Sequence, residues 1–138
     1  MEAQTQTAAN VKQAIPFFMV EDMQKSVRFY VDGLGFEITH RWEQDGNLRW
    51  CCMRLGDSAL MLQEYANRPE GSLGQGVSIC FVCEDALAIY RDIKARGIEA
   101  KTPFVGNAMW VVSVTDPDGY RLDFESSTDV PEETVLSD

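Results

Sequence analysis

The sequence has 138 residues, of which 45% are hydrophobic and 25% charged, so it can bury the core of one folded domain. A net charge of −10 argues against nucleic acids and anionic membrane surfaces as partners, and favours a cationic ligand. No apolar run approaches the roughly 20 residues of a membrane-spanning helix, and residues 1–13 lack a secretory signal, so we expect a cytoplasmic protein.

Two copies of one pattern organise the chain, about sixty residues apart, a spacing typical of a structural repeat. Each copy begins with an apolar strand that leads into an acidic helix start. The first reads Phe17-Phe-Met-Val-Glu-Asp22 and the second Ile79-Cys-Phe-Val-Cys-Glu-Asp85. This repeat predicts two similar halves that enclose a site between them.

The first half reads as a strand, a helix and three further strands. Residues 14–20 form the first strand, Asp22 is the N-cap, and the apolar spacing of residues 23–31 predicts a helix that ends at Gly33. Three strands follow, separated by turns that contain Asp-Gly or Gly-Asp: residues 36–42, 48–55 and 59–65.

The second half repeats this order after a glycine-containing linker at residues 66–76. Its predicted elements are a strand at 77–82, a helix at 85–96, an extended segment at 100–103, and strands at 108–114 and 120–125. The fold class is therefore α+β, one domain over residues 14–126 with βαβββ modules at 14–65 and 77–126. Residues 1–13 and the acidic residues 127–138 are expected to be flexible tails.

The four cysteines are Cys51, Cys52, Cys80 and Cys83. The spacing of Cys80 and Cys83 is typical of a metal or redox site. Both lie in one predicted strand, however, where residues three apart point to opposite faces. We therefore expect buried, reduced thiols and a reducing compartment.

The doubled unit, with Asp116-Pro-Asp-Gly-Tyr-Arg-Leu-Asp-Phe124 near its end, resembles the vicinal oxygen chelate superfamily, which includes glyoxalase I, extradiol dioxygenases and the bleomycin-resistance proteins. Ser26-x-x-Phe-Tyr30 and Leu34-Gly-Phe36 support the resemblance, which covers residues 14–126. It implies a curved, cup-like mixed sheet with helices outside and the site inside the cup. Ala14-Ile-Pro16 is most similar to the bleomycin-resistance branch, whose members are acidic dimers that sequester a cationic drug without a metal of their own.

Metal-using members place one ligand on the first strand and an acidic ligand on the last strand of each module. The resemblance puts these four positions at Ile15, Met61, Ser78 and Asp123. Only Asp123 is a good ligand for a divalent metal, and the single histidine, His40, is expected at a strand end elsewhere. We therefore expect no metal and no other cofactor. Asp123 is either satisfied by a hydroxyl or an arginine such as Arg54, or it forms the anionic floor of the cup.

Residues that line the cup share the parity of these four positions, because side chains alternate along a strand. This gives Ile15, Phe17, Met19, Trp50, Cys52, Arg54, Met61, Gln63, Ser78, Cys80, Val82, Met109, Val111, Ser113, Arg121, Asp123 and Glu125. Trp50, and also Trp42 or Trp110, could stack on a planar or cationic group. Residues of opposite parity are expected under the helices.

An apolar, aromatic cup with few charges suits a flat or amphipathic organic molecule. We predict a homodimer that sequesters a partly cationic or aromatic ligand without bond chemistry and without catalytic residues. One alternative is a metal-dependent lyase or dioxygenase that resembles glyoxalase I. Two others are a pseudoenzyme or regulatory partner with an empty cup, and a metal-independent acid–base catalyst that uses Arg54, Asp123, Glu125 or Cys52.

Overall fold

The computed structural model describes residues 8–64, 71 and 73–137. The first module contains β1 (Phe17–Val20), α1 (Met23–Val27), β2 (Glu37–Gln44), β3 (Asn47–Leu55) and β4 (Ser58–Glu64). The second contains β5 (Ser78–Val82), α2 (Ala86–Ala95), β6 (Phe104–Gly106), β7 (Met109–Thr115) and β8 (Arg121–Ser127). The predicted α+β class is confirmed. Most of the predicted linker, at residues 66–70 and 72, lies outside the described residues.

The mixed sheet expected from the sequence is present as two four-stranded sheets, one in each module. The strand orders are β1-β4-β3-β2 and β5-β8-β7-β6, so the two modules have the same topology. In each sheet the first strand pairs in parallel with the last, and the other pairs are antiparallel. The sequence repeat therefore corresponds to a repeated supersecondary unit.

Each helix begins at the aspartate that the sequence pattern indicates. The carboxylate of Asp22 accepts a hydrogen bond from the Lys25 N–H, and that of Asp85 accepts one from the Ala88 N–H. The first helix differs from the prediction in its inner geometry. Its α-helical part ends at Val27 and continues as a wider π-helical segment over Arg28–Gly33, a distinction that apolar spacing alone does not make.

The core lies between the helices and one face of each sheet. In β1, for example, Phe18 and Val20 are buried, as alternation predicts, whereas Phe17 is exposed. Aromatic pairs join the two modules across this core. The rings of Phe18 and Tyr120 stack with centroids 3.9 Å apart, and Phe36 meets Phe81 edge-on at 6.1 Å.

The C-terminal residues differ from the flexible acidic tail that the sequence predicts. After β8, residues 128–136 run back along the outer edge of β6 and form backbone hydrogen bonds with it. Phe104 and Val135 form an antiparallel bridge. Side-chain composition does not reveal this pairing, because backbone groups make it. At the other terminus, residues 1–7 lie outside the described part of the chain.

Within the described residues, no helix is both long enough and apolar enough to cross a membrane.

Candidate functional site

The two sheets each have one face that carries no helix, here called the open face. On the first sheet, hydrogen-bonded register aligns side chains into two rows across four strands. One row is Met19, Gln63, Trp50 and Trp42; the other is Phe17, Met61, Cys52 and His40. Neighbouring strands lie about 4.8 Å apart, so adjacent members of a row are within contact range.

The open face of the second sheet has corresponding rows. They are Ser78, Arg121 and Thr115; Cys80, Asp123 and Ser113; and Val82, Glu125, Val111 and Phe104. Met109 lies on the same face, paired with Ser127 and Gly106. Register thus places every predicted lining residue that belongs to a strand on an open face, while Ile15 precedes β1 and is half-buried. That these residues bind a ligand stays a prediction.

Two residues lie where the sequence reasoning did not expect them. His40 is not at a strand end elsewhere but within β2, on the open face, opposite Cys52. Two strand spacings, about 10 Å, separate it from Met61, so it does not supply the missing ligand at that position. Trp110 pairs with Val105 and Ser126 on the helix-covered face, so it is not available for stacking from the open face.

Asp123 is buried and fully partnered. It accepts a 2.6 Å hydrogen bond from the Ser113 hydroxyl and a bidentate contact from the Arg121 guanidinium at 2.9–3.1 Å. This hydrogen-bonded pairing raises the pKa of Arg121. The partners are thus a hydroxyl and an arginine, as one of the two alternatives predicted, but the arginine is Arg121 rather than Arg54. The signal for it was present in the sequence, because residues i and i+2 of a strand share a face.

Cys80 is exposed, in contrast to the buried thiol that the sequence predicts. Its Sγ donates a 2.8 Å hydrogen bond to Glu125 Oε2. Partial burial, and then the neighbouring Glu125 carboxylate, raise the pKa of the Cys80 thiol to about 11. At neutral pH this group is a protonated hydrogen-bond donor rather than a nucleophile.

Large apolar side chains on the open faces are exposed to an unusual degree. The exposed fractions are 48% for Phe17, 51% for Trp42, 84% for Val82 and 43% for Phe104. Phe17 and Trp42 lie on the open face of the first sheet, and Val82 and Phe104 lie on that of the second. Two or more exposed apolar side chains on the open face of each sheet indicate an interaction surface rather than ordinary surface composition. Arg54 adds an exposed guanidinium to this surface and makes no ion pair with another described residue.

The residues at the four family metal positions do not fit a divalent ion. Ile15 and Ser78 offer no strong donor, Met61 offers a thioether, and the Asp123 carboxylate is held by Arg121 and Ser113. Across the described part of the chain, no three His, Cys, Asp or Glu side chains are grouped closely enough to hold a metal ion.

A cleft of about 640 Å³ lies away from the open faces, between α1 and the β2–β3 hairpin. Its walls include Met23, Val27, Leu48 and Arg49. Glu64 spans its floor, since one carboxylate oxygen accepts from the Met23 N–H at 2.8 Å and the other from Arg49 at 2.6 Å. The sequence reasoning did not predict this cleft, which depends on how the hairpin lies against the helix.

Comparison with known proteins gives a consistent assignment. The chain is 25% identical to a bleomycin resistance determinant encoded on the transposon Tn5, with a TM-score of 0.69 over 85% of this chain and 98% of that one. A bleomycin-binding protein solved in complex with bleomycin is 24% identical, with a TM-score of 0.68 over 85% and 99%. A glyoxalase/bleomycin resistance protein/dioxygenase from Nocardioides is 17% identical, with a TM-score of 0.65 over 99% and 98%.

No match was found among curated proteins. The model of one protein family, however, matches residues 12–124, which is most of the sequence. This match agrees with the repeated module and with the Asp-Pro-Asp-Gly turn that the structure shows between β7 and β8. The chain belongs to the Glyoxalase/Bleomycin resistance protein/Dioxygenase superfamily.

Proposed function

We propose that this protein binds a small, flat organic molecule on its open faces and performs no bond chemistry on it. The observation that carries the proposal is the exposed aromatic and apolar surface on the open faces. Trp42 and Trp50 lie opposite each other on neighbouring strands of the first sheet. Phe17 lies in the adjacent row of the same open face, on the strand next to Met61. Aromatic rings presented in this way suit stacking on a planar or cationic group.

The polar groups of the open faces support binding rather than catalysis. The Cys80 thiol is protonated, and Asp123 is engaged by Arg121 and Ser113. A thiol is a poor nucleophile unless it is ionised, and a carboxylate whose oxygens are held by a guanidinium and a hydroxyl is a poor general base. The donor set at the family metal positions likewise supports a metal-free protein.

The relatives support the ligand class. Two of the similar structures are, by their descriptions, a bleomycin-binding protein and a bleomycin resistance determinant. The net charge of −10 would favour a cationic drug of that kind. We therefore place the ligand among flat, partly cationic, antibiotic-like molecules, and propose sequestration as the activity.

A second copy of the chain completes the site in this proposal. In the single chain, Val82 is 84% exposed and Phe17 48%, which is costly for apolar side chains unless something covers them. A homodimer with facing open faces would enclose the ligand between copies. Cys51, Cys52, Cys80 and Cys83 are all free, which is typical of the reducing conditions of a cytoplasm.

The test is calorimetric titration of the purified protein with bleomycin and a panel of flat cationic drugs. We expect Trp50→Ala to weaken binding about tenfold, the scale of a cation–π or stacking contact, and Asp123→Asn to weaken it less. Trp110→Phe, on the helix-covered face, is the matched control. Unchanged affinity in both open-face variants, or no binding across the panel, would reject the proposal.

Elemental analysis provides an independent check of the metal-free part. We expect substoichiometric zinc, nickel, iron and manganese after purification without chelator. One equivalent of any of these, lost in Asp123→Asn, would show that the carboxylate ligates a metal in place of Arg121.

A further inference from the structure

The outer edge of β6 is occupied by the chain's own C-terminal segment, defined here as residues 128–136. The Val105 N–H donates to the Thr134 carbonyl at 2.9 Å, and the Glu133 N–H donates to the Val105 carbonyl at 2.8 Å. The Leu136 N–H donates to the Pro103 carbonyl at 2.9 Å. These bonds are those of an antiparallel strand pair, in which Phe104 lies opposite Val135.

One side chain fixes the register of this pairing. The β6–β7 turn contains Asn107 and Ala108, both with positive φ, at 53° and 61°. Their N–H groups both donate to the carboxylate of Glu132, the Ala108 bond being 3.0 Å long. A carboxylate that accepts two backbone N–H groups makes strong, charge-assisted hydrogen bonds. The turn therefore recognises a glutamate three residues before the valine that faces Phe104.

The C-terminal segment is held with little apolar burial. Glu133 is exposed and Val135 is 59% exposed, whereas Thr134 and Leu136 are half-buried. Asp129, Glu132 and Glu133 contribute three of the negative charges in the net charge of −10. Segments with few buried contacts open at low free-energy cost, so the C-terminal segment can leave the β6 edge without global unfolding.

We propose that the β6 edge is a strand-docking site, and that the C-terminal segment of a second copy occupies it when the chain's own segment is displaced. An unpaired edge presents backbone donors and acceptors that readily pair with another strand. The identical segment of a second copy carries the same glutamate-to-valine spacing, so it matches both the edge and the β6–β7 turn. This strand exchange uses the backbone edge of β6 and does not require a bound ligand, although the Phe104 side chain also belongs to the open face of the second sheet.

The test uses two full-length copies, one with Phe104→Cys and the other with Val135→Cys. Directly opposed residues of an antiparallel pair have Cα atoms about 4.5–5.5 Å apart, within the range of a disulfide. The two variants are mixed and oxidised, first with Glu132 present and then with Glu132→Ala in both variants. Peptide mapping distinguishes a disulfide between residue 104 of one copy and residue 135 of the other from disulfides formed by the native cysteines. A Val130→Cys copy replaces the Val135→Cys copy as the control.

We expect the 104–135 disulfide between copies to form several-fold faster with Glu132→Ala, because the chain's own segment is then released more often. Asp129→Ala removes the same charge without touching the turn and is expected to have no such effect. Hydrogen exchange at the Val105 amide reports the release directly. An accelerated Val105 exchange without any 104–135 disulfide between copies would overturn the proposal, and so would an unchanged Val105 exchange in Glu132→Ala.

Discussion

The hydroxyl of Tyr30 donates a 2.6 Å hydrogen bond to Asp116 Oδ2, and this bond joins the two modules. Both side chains are buried, with 0% and 4% exposure. The other oxygen of Asp116 accepts from the N–H groups of Asp118 and Tyr120 at 2.8 and 2.9 Å. One carboxylate therefore holds both the π-helical segment of the first module and the Asp-Pro-Asp-Gly turn of the second.

Replacement of Tyr30 by phenylalanine tests this bond. Tyr30→Phe keeps the ring in its edge-on contacts with Phe29 and Phe36 but removes the donor to a buried carboxylate. Hydrogen bonds to charged groups contribute about 1.5–3 kcal/mol, so we expect a loss of about 2 kcal/mol in the free energy of unfolding. Urea denaturation followed by circular dichroism measures it.

Tyr90→Phe is the matched control, because the Tyr90 hydroxyl accepts a 3.2 Å hydrogen bond from the exposed Lys94 ammonium and is not bonded to a buried carboxylate. We expect its effect to stay below about 0.5 kcal/mol. Equal losses in Tyr90→Phe and Tyr30→Phe would mean that the contact between modules is no stronger than a surface hydrogen bond.

The ionisation of Asp116 should make stability depend on pH. Burial raises the pKa of Asp116 above its ordinary value of 3.8, although the hydrogen bond from Tyr30 opposes the shift. Between 3.8 and the raised pKa, the folded protein binds more protons than the unfolded chain, so this group's contribution to stability falls as pH rises through that window. Above the raised pKa the loss is complete.

Asp116→Asn cannot ionise and should lack this slope. We therefore expect the unfolding free energy of the original protein, minus that of Asp116→Asn, to decrease as pH rises from 4 through the raised pKa. Urea titrations at several pH values measure both free energies. A difference that stays constant or grows over the window would contradict the assigned direction of the shift.

Strand alternation predicted more of the molecule than any other signal. It separated Phe17 from Phe18, and Met19 from Val20, because side chains of a pleated strand alternate between faces wherever one face is buried. The family resemblance placed Asp123 on the open face, and alternation counted from that position could have identified Arg121 as its partner. The Asp22 N-cap was predictable because a cap bonds within three residues of itself, and Asp85, placed at the start of the second predicted helix, caps that helix in the same way.

Contacts between distant backbone segments were not predictable in this way. The C-terminal segment pairs with β6 through main-chain N–H and C=O groups, which nearly every residue has whatever its side chain. The polar side-chain composition of the segment therefore indicated a flexible tail and gave no sign of the pairing. The Tyr30–Asp116 bond spans 86 positions and depends on how the two modules meet. His40 shows a third limit, because the irregular register between Ile38 and His40 shifts the strand where simple counting assumes none.

The Cys80 thiol should be alkylated more slowly than its exposure to solvent alone would suggest. Its pKa of about 11 leaves little thiolate at pH 8, so we expect alkylation by iodoacetamide to be on the order of a hundred times slower than for an unperturbed thiol. Glu125→Gln removes the neighbouring negative charge but not the burial, which is the larger cause, and should accelerate the reaction only in part.

Mass spectrometry of Cys80 peptides over time measures the alkylation rate. Glu84→Gln is the control, since this carboxylate is exposed and makes no hydrogen bond to the Cys80 thiol. Rapid alkylation of Cys80 in the unmodified protein, or the same acceleration in both glutamine variants, would argue against the Cys80–Glu125 hydrogen bond.

Gly74 is a position where an added methyl group should disturb the fold directly. A Cβ there would overlap the backbone of Gly119 and Tyr120, because Gly74 packs against the Asp-Pro-Asp-Gly turn and its N–H donates to the Asp118 carbonyl at 2.9 Å. Backbone atoms cannot rotate away as a side chain can, so Gly74→Ala should cost about 3 kcal/mol of unfolding free energy. Gly56→Ala, with a φ of +59° and open space around it, should cost only about 1 kcal/mol through backbone strain. Chemical denaturation of both variants measures the two losses of unfolding free energy. Equal losses would show that the Asp-Pro-Asp-Gly turn moves to admit the methyl group. In that case the contact between Gly74 and the turn does not fix the position of Asp116.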